Sequence, residues 1–205
     1  MRASPGASRR ATGALAIAVA LATAPPSTAA LATDDFDADE IARIVSHGPW
    51  PPPPVRDPSN RASGDAGAIA LGQRLFSDPA MSAAGSISCA SCHDPARRFT
   101  DGKARAIGLA AHDRNTQGLL DAGDWRWFGW DGGADTLWAA TLRPLLSPVE
   151  MGSDPASIAE RLRRDPSAMR VIEPLFGLRL DDESLAVAAA KSIAAWLETL
   201  RSPRT

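Results

Sequence analysis

Gly85-Ser86-Ile87-Ser88-Cys89-Ala90-Ser91-Cys92-His93-Asp94-Pro95 decides how this chain is read. Its centre has the form Cys-x-x-Cys-His, the attachment pattern of a c-type haem. The order carries the chemistry. Cys89 and Cys92, one helical turn apart, can each add to a porphyrin vinyl group as a thioether. His93 follows at once and offers an imidazole nitrogen to the iron as proximal ligand. A thioredoxin-type redox pair would need a βαβ context, and a zinc site would need a second pair of ligands. The chain offers neither, these being its only two cysteines.

A chain of 205 residues has room for one domain and a small appendage. Its apolar content of 44% is ordinary and suffices for a packed core. Tyr is absent, while six Trp are present: Trp50, Trp125, Trp127, Trp130, Trp138 and Trp196. The net charge of −2 is too small to argue for nucleic acid or an anionic membrane surface as partner, and neither is expected. Residues 1–32 read as a secretory leader, with a basic start, an apolar run from Gly13 to Ala24 and small residues before a cut at Ala30-Leu31-Ala32 or Thr28-Ala29-Ala30. An uncleaved anchor is the alternative, but the run is short for a membrane span, so no stable insertion is expected. Ser8-Arg9-Arg10 hints at twin-arginine export, though the motif continues poorly. Removing the leader takes three arginines from the net −2 and leaves −5 on the mature chain. The expected compartment is the periplasm, where haem consumes the two thiols before they can form a disulfide.

Residues 33–64 read as an N-terminal helix, Asp37 to Ser46, followed by the polyproline spacer Pro49-Trp50-Pro51-Pro52-Pro53-Pro54. The haem domain is placed at 65–205. It opens with a helix from Asp65 to Phe76 that Asp78-Pro79 ends. A short helix is expected over Thr116 to Asp121, and another from Asp135 to Leu142 that Pro144 curtails. The stretch from Trp125 to Gly133 is too rich in glycine for a helix interior and too aromatic for a solvent loop; it is expected to line something large and flat. Pro155 and Pro166, each behind a capping residue, start two more helices. The last runs from Asp182 to Leu200. No stretch alternates like a strand, so the fold class is all-α, a cytochrome c-like haem domain.

Seven motifs stand in a fixed order: Leu71-Gly72-Gln73-Arg74-Leu75-Phe76-Ser77-Asp78-Pro79, the Cys-x-x-Cys-His, Phe99-Thr100-Asp101-Gly102, Arg114-Asn115-Thr116, Trp130-Asp131-Gly132, Leu137-Trp138-Ala139 and Pro148-Val149-Glu150-Met151-Gly152. In that order they resemble the bacterial dihaem cytochrome c peroxidases and their relatives that mature methylamine dehydrogenase. The resemblance runs from about Ile69 to Arg201. It implies a single covalent haem c in this domain, with His93 as proximal ligand and an open or displaceable distal side. Glu150 matches the distal glutamate that serves as acid and base toward peroxide. Trp130 matches the tryptophan between the family's two haems, a candidate electron relay. Asn115 matches a residue that helps bind calcium at the domain interface.

The departures are as specific. The family's distal glutamine falls on Ala140, and its Trp-Asp-Gly-Arg ends here in Gly133. The removable distal histidine of some members aligns with Leu109; His112, three residues on, is the substitute candidate as distal iron ligand, although a lone loop histidine is ordinarily solvated. The family's second haem domain is expected to be absent, leaving either a fragment or a chain whose second haem comes from another polypeptide. The leading expectation is therefore a peroxidase-type domain that reduces hydrogen peroxide with electrons from a cytochrome c or a partner haem. The alternatives are a monohaem electron-transfer cytochrome c, with Met151, Met169 or His112 as sixth ligand, and a haem-binding remnant without turnover.

Overall fold

Aspartates start most of the helices in this chain, because a carboxylate before a helix accepts from the backbone N–H groups that the first turn leaves unpaired. In the computed structural model, which describes residues 36–48, 52 and 56–203, seven α-helices are present. They are α1 (Ala38–Ser46), α2 (Ala66–Phe76), α3 (Cys89–Cys92), α4 (Leu137–Leu146), α5 (Pro155–Arg163), α6 (Pro166–Phe176) and α7 (Asp182–Leu197). Asp65, Asp154, Asp165 and Asp181 cap α2, α5, α6 and α7, and Thr136 caps α4. Three isolated bridges occur, but no strand is found among the described residues, and the fold is all-α. The expected leader and most of the proline spacer lie outside the described residues.

The amphipathic strip expected on α1 is present, and Ile41, Ile44 and Val45 are exposed. Asp37 and Glu40 close its first turn reciprocally: Asp37 Oδ1 accepts from Glu40 N at 2.9 Å, and Glu40 Oε2 accepts from Asp37 N at 2.8 Å. From Arg43 onward the chain forms one compact unit.

Within that unit α7 is apolar on nearly every side, as a helix enclosed by others must be. Ala188, Ala189, Ala190, Ile193, Ala194 and Ala195 are fully buried, and α2, α4 and α5 pack around it. Ser192, also fully buried, satisfies its hydroxyl by donating to Ala188 O at 2.8 Å. Small residues let the backbones approach closely. A Cβ placed on Gly72 of α2 would lie 1.9 Å from the Ser192 carbonyl oxygen, so only glycine fits there. That contact seats Phe76, at the end of α2, against Trp196 of α7, with ring centroids 4.5 Å apart.

Three boundaries differ from expectation. α7 ends at Leu197 and Leu200 follows in a turn. α4 runs on to Leu146 with Pro144 inside its last turn. The proline costs the Ala140 carbonyl its usual donor, but the carbonyls beyond it find others: Met151 N donates to Pro144 O at 3.1 Å and Ser153 N to Leu145 O at 2.9 Å. No helix forms over 116–121; a single 3₁₀ turn follows at Ala122–Asp124. The backbone of that stretch bonds outward instead, Asp121 N to Leu200 O at 2.8 Å, and Asp121 itself is left-handed at φ 59°.

Gly72→Ala is expected to destabilise the protein by about 3 kcal/mol or more, since overpacking against backbone has no side chain to yield; the urea unfolding midpoint measures it. Hydrogen bonds from Ser157, Ser167 and Ser184 hold the Asp154, Asp165 and Asp181 carboxyls below their ordinary range, Arg74 assisting at Asp165. With the folded value depressed, the unfolded chain binds more protons in acid. Cap stability is then fully present above about pH 4 and is lost as pH falls below it. Unfolding midpoints measured between about pH 6 and pH 2 should fall in that window.

Candidate functional site

The single turn of α3 sets its three chemical groups in one direction. His93 N donates to Cys89 O at 2.8 Å, so the imidazole follows one turn after the first thiol. Ser91 Oγ accepts from Ser88 N at 3.0 Å and closes the start of the turn. Both thiols are free. Burial pushes the Cys89 thiol up to about 12 and raises Cys92 as well, with the Glu150 carboxylate adding to both. Such thiols stay protonated at neutral pH, the reverse of a nucleophilic dithiol pair.

His93 is oriented by the loop that follows it. A carbonyl can only accept, so the 3.1 Å contact between His93 Nδ1 and Phe99 O puts a proton on Nδ1. Burial holds this imidazole below its usual range; the Phe99 and Gln117 backbone and the Asp101 charge oppose that shift in part. Aiming the carbonyl requires backbone strain. Arg98 and Phe99 are both left-handed, at φ 56° and 59°, each at a cost of about 1–2 kcal/mol. Opposing it, Phe99 N donates to Asp94 O at 2.8 Å, and the Phe99 ring stands edge-on to Phe76 and Trp196 at 6.2 and 5.9 Å.

Cys89, Cys92 and His93 open into a cleft of about 620 Å³, within the range of about 300–1,000 Å³ usual for a bound cofactor. Its apolar walls include Phe76, Leu137, Ile193 and Leu197, and Trp125, Phe128 and Trp130 contribute the expected flat aromatic lining. Thr116 Oγ1 is buried on this wall with no hydrogen-bond partner among the described residues, a polar atom awaiting a ligand. Two thiols, an imidazole opening into the cleft and a broad apolar slot fit a covalently attached porphyrin.

Glu150 and His112 line the same cleft. Glu150 sits in the turn after α4, where Glu150 N and Gly152 N donate to Ser147 O at 3.0 and 2.8 Å. His112 comes from a hairpin spanning 106–114. It is clamped to the Glu150 backbone by Leu109 N to Glu150 O and Ala110 N to Val149 O, both 3.0 Å. Gly108 permits the approach, since a Cβ there would stand 2.7 Å from Val149 O. The side chains meet, with His112 Nε2 and Glu150 Oε1 3.2 Å apart. Far from being a solvated loop residue, the His112 side chain is about two-thirds covered, 32% of it remaining accessible.

Trp130 and Asn115 also come together. Trp130 Nε1 donates to the Asn115 carbonyl at 2.9 Å while its ring stays 56% exposed, which departs from a core-packing role. The Asn115 side chain donates to Thr116 O at 3.4 Å. Among the described residues no three His, Cys, Asp or Glu side chains converge on a metal position. Of the sixth-ligand candidates, Met151 lines the cleft with its sulfur 4.0 Å from Cys89 Sγ, whereas Met169 on α6 does not reach it. Residues that sequence reasoning missed are the Phe99 carbonyl and Arg143. Arg143 Nη1 lies where a Cβ on Gly133 would come within 2.8 Å, and its guanidinium pairs with Asp131 at 3.5 Å.

A family model described as "Di-haem cytochrome c peroxidase" matches residues 66–205. The chain is 42% identical over 154 residues to methylamine utilization protein MauG of Paracoccus denitrificans (strain Pd 1222), covering 63% of this chain and 40% of that protein. It is 33% identical over 191 residues to cytochrome-c peroxidase IdrP1 of Denitromonas iodatirespirans, covering 92% of this chain and 48% of that one. Among solved structures it is similar to a MauG-like protein associated with microbial copper homeostasis, with TM-score 0.63, 32% identity, and 76% of this chain and 46% of the other covered. It also resembles the diheme peroxidase BthA of Burkholderia thailandensis E264, with TM-score 0.58, 27% identity, and coverage of 72% and 40%. The chain thus spans less than half the length of these relatives.

Thioether attachment through Cys89 and Cys92 is expected to keep haem on the chain through acid–acetone extraction. The Cys89→Ser, Cys92→Ser double variant should lose its colour to the solvent, and absorbance of the precipitated protein reads both results.

Proposed function

The chain belongs to the di-haem cytochrome c peroxidase family, and from this premise we propose that it is a periplasmic peroxidase-type domain. In this reading it binds one covalent haem c and reduces hydrogen peroxide with electrons from a cytochrome c or a second haem domain. The observation that carries the reading is the Glu150 carboxylate on the wall of the cleft into which Cys89, Cys92 and His93 open. Cys89 and Cys92 would hold the group as thioethers, and His93 Nε2 would ligate its iron while Nδ1–H stays bonded to Phe99 O. When bound, the haem supplies the electron chemistry at the peroxide O–O bond.

The protein's own part is proton movement. Glu150 takes a proton from one peroxide oxygen onto its carboxylate and returns it to the other as that oxygen departs, so no bare hydroxide forms. Over a full turnover, two electrons and two further protons convert one peroxide to two waters. The apolar lining from Leu137, Ile193 and Leu197 keeps bulk water from competing at the reacting oxygens. Trp130, exposed at the rim with its ring nitrogen anchored to Asn115 O, is the proposed point of electron transfer to a partner.

A second reading has one observation in its favour, Met151 lining the cleft beside Cys89. As a sixth ligand it would give a plain electron-transfer cytochrome. A ferric optical spectrum separates the readings, since a methionine-ligated iron shows its sulfur-to-iron band and an accessible iron does not.

Glu150→Gln in the haem-loaded protein is expected to slow the reaction with hydrogen peroxide by ~10²-fold or more, the scale of a positioned acid–base group, with haem content unchanged. Stopped-flow mixing measures it. Equal rates in the two proteins would reduce Glu150 to an ordinary surface carboxylate.

A further inference from the structure

Glu150 lies in a wall shared by two cavities. One is the cleft of about 620 Å³; the other is an outer depression of about 520 Å³ bounded by Trp138, Leu142 and Leu146. His112, Arg143 and Glu150 line both. A glutamate in such a wall has three rotatable bonds and water within reach on its outer side, so its carboxylate needs a fixed partner to serve the inner cavity. Among the described residues the partner in place is His112, with Nε2 3.2 Å from Oε1; Oε2 has no protein partner among them.

Both nitrogens of the imidazole are engaged. Nδ1 is met by the Arg114 N–H at 3.4 Å and by Asp113 Oδ1 at 3.1 Å, while Nε2 faces Glu150. A ring protonated on Nε2 donates to Oε1. The imidazolium, donating to Asp113 as well, makes the same bond to Glu150. The backbone prevents either residue from drifting: His112 N donates to Ala106 O, Ala106 N to Arg114 O, and the hairpin tip bonds to the carbonyls of Val149 and Glu150.

We propose that His112 is a positioning residue that fixes the Glu150 carboxylate in the wall between the two cavities, and that it does this in place of ligating iron. The inference rests on the reading of Glu150 as the acid–base group of the haem cleft. It differs from the iron-ligand expectation in what the ring touches, because in this arrangement neither nitrogen is left over for a metal.

The test uses the haem-loaded full chain as wild type, His112→Ala, His112→Gln, Glu150→Gln and the His112→Ala, Glu150→Gln double variant. Two quantities are read: the rate constant with hydrogen peroxide and the ferric optical spectrum. His112→Ala should slow the reaction by ~10-fold or more, as loosened positioning does. His112→Gln should recover most of that loss, because its amide nitrogen can stand where Nε2 stood. The double variant should be no slower than Glu150→Gln alone, since the histidine acts only through the glutamate. The ferric spectrum of His112→Ala should match wild type. A wild-type rate in His112→Ala beside a slow Glu150→Gln would overturn the positioning role and leave the acid–base reading standing. A change from a six-coordinate low-spin to a high-spin spectrum in His112→Ala would make the histidine an iron ligand and overturn the proposal. Wild-type rates in Glu150→Gln would remove the acid–base reading, and the proposal with it.

Discussion

The contact between Gly72 and the Ser192 carbonyl is the constraint from which the haem side of this protein follows. Two helices come together there with no side chain between them. Because α2 lies so close to α7, the Phe76 ring at its end reaches Trp196 at 4.5 Å, and both reach Phe99. Phe99 in turn carries the carbonyl that holds His93 Nδ1. A steric fact about one glycine is thus transmitted through three rings to the direction of one imidazole. Each aromatic contact contributes about 0.5–1.5 kcal/mol, so two or three of them offset the left-handed backbone at Arg98 and Phe99. The strain persists because the packing over-determines it.

The other side of the cleft is built on backbone instead of on rings. Pro144 removes one hydrogen bond near the end of α4, and the chain turns back so that Met151 and Ser153 cover the carbonyls beyond. That reversal presents Glu150 to the cleft. The 106–114 hairpin then attaches to the same few residues by main-chain bonds, and Gly108 makes room for it. Proline and glycine, which sequence reasoning treats as interruptions, here place the carboxylate and the histidine within 3.2 Å of each other.

What could be read in advance divides along the same line. The helix starts were legible because each rests on a local cap, such as Asp65, Asp165 or Asp181, whose partners lie two or three residues away. The attachment motif was legible because its chemistry fixes its spacing. The flat lining from Trp125 to Gly133 was legible from composition, and Trp125, Phe128 and Trp130 do border the cleft, whereas Trp127 is exposed away from it. The stretch after Asn115 was misjudged because its hydrogen bonds run to Leu200, far along the chain. The Phe99 carbonyl could not be anticipated, since a backbone oxygen leaves no mark on residue identity. The His112–Glu150 pair spans 38 positions and depends on a hairpin with no periodic signal; only the resemblance brought both residues to notice.

Gly133 leaves room for a charge supplied from another part of the chain. A guanidinium stands beside Gly133: Arg143, projecting from α4, fills the space there and pairs with Asp131. Its Nη1 would meet a Cβ on Gly133 at 2.8 Å, so this placement of Arg143 and a side chain at 133 exclude one another. The pair is exposed, and exposed pairs add little to stability. Its consequence is positional. Supplied from a helix, the charge is held by the α4 backbone and its capping turn, and the same side chain borders both cavities next to Glu150. A charge carried on this helix is thereby coupled to the element that also positions the carboxylate, so a shift of α4 would move both groups together.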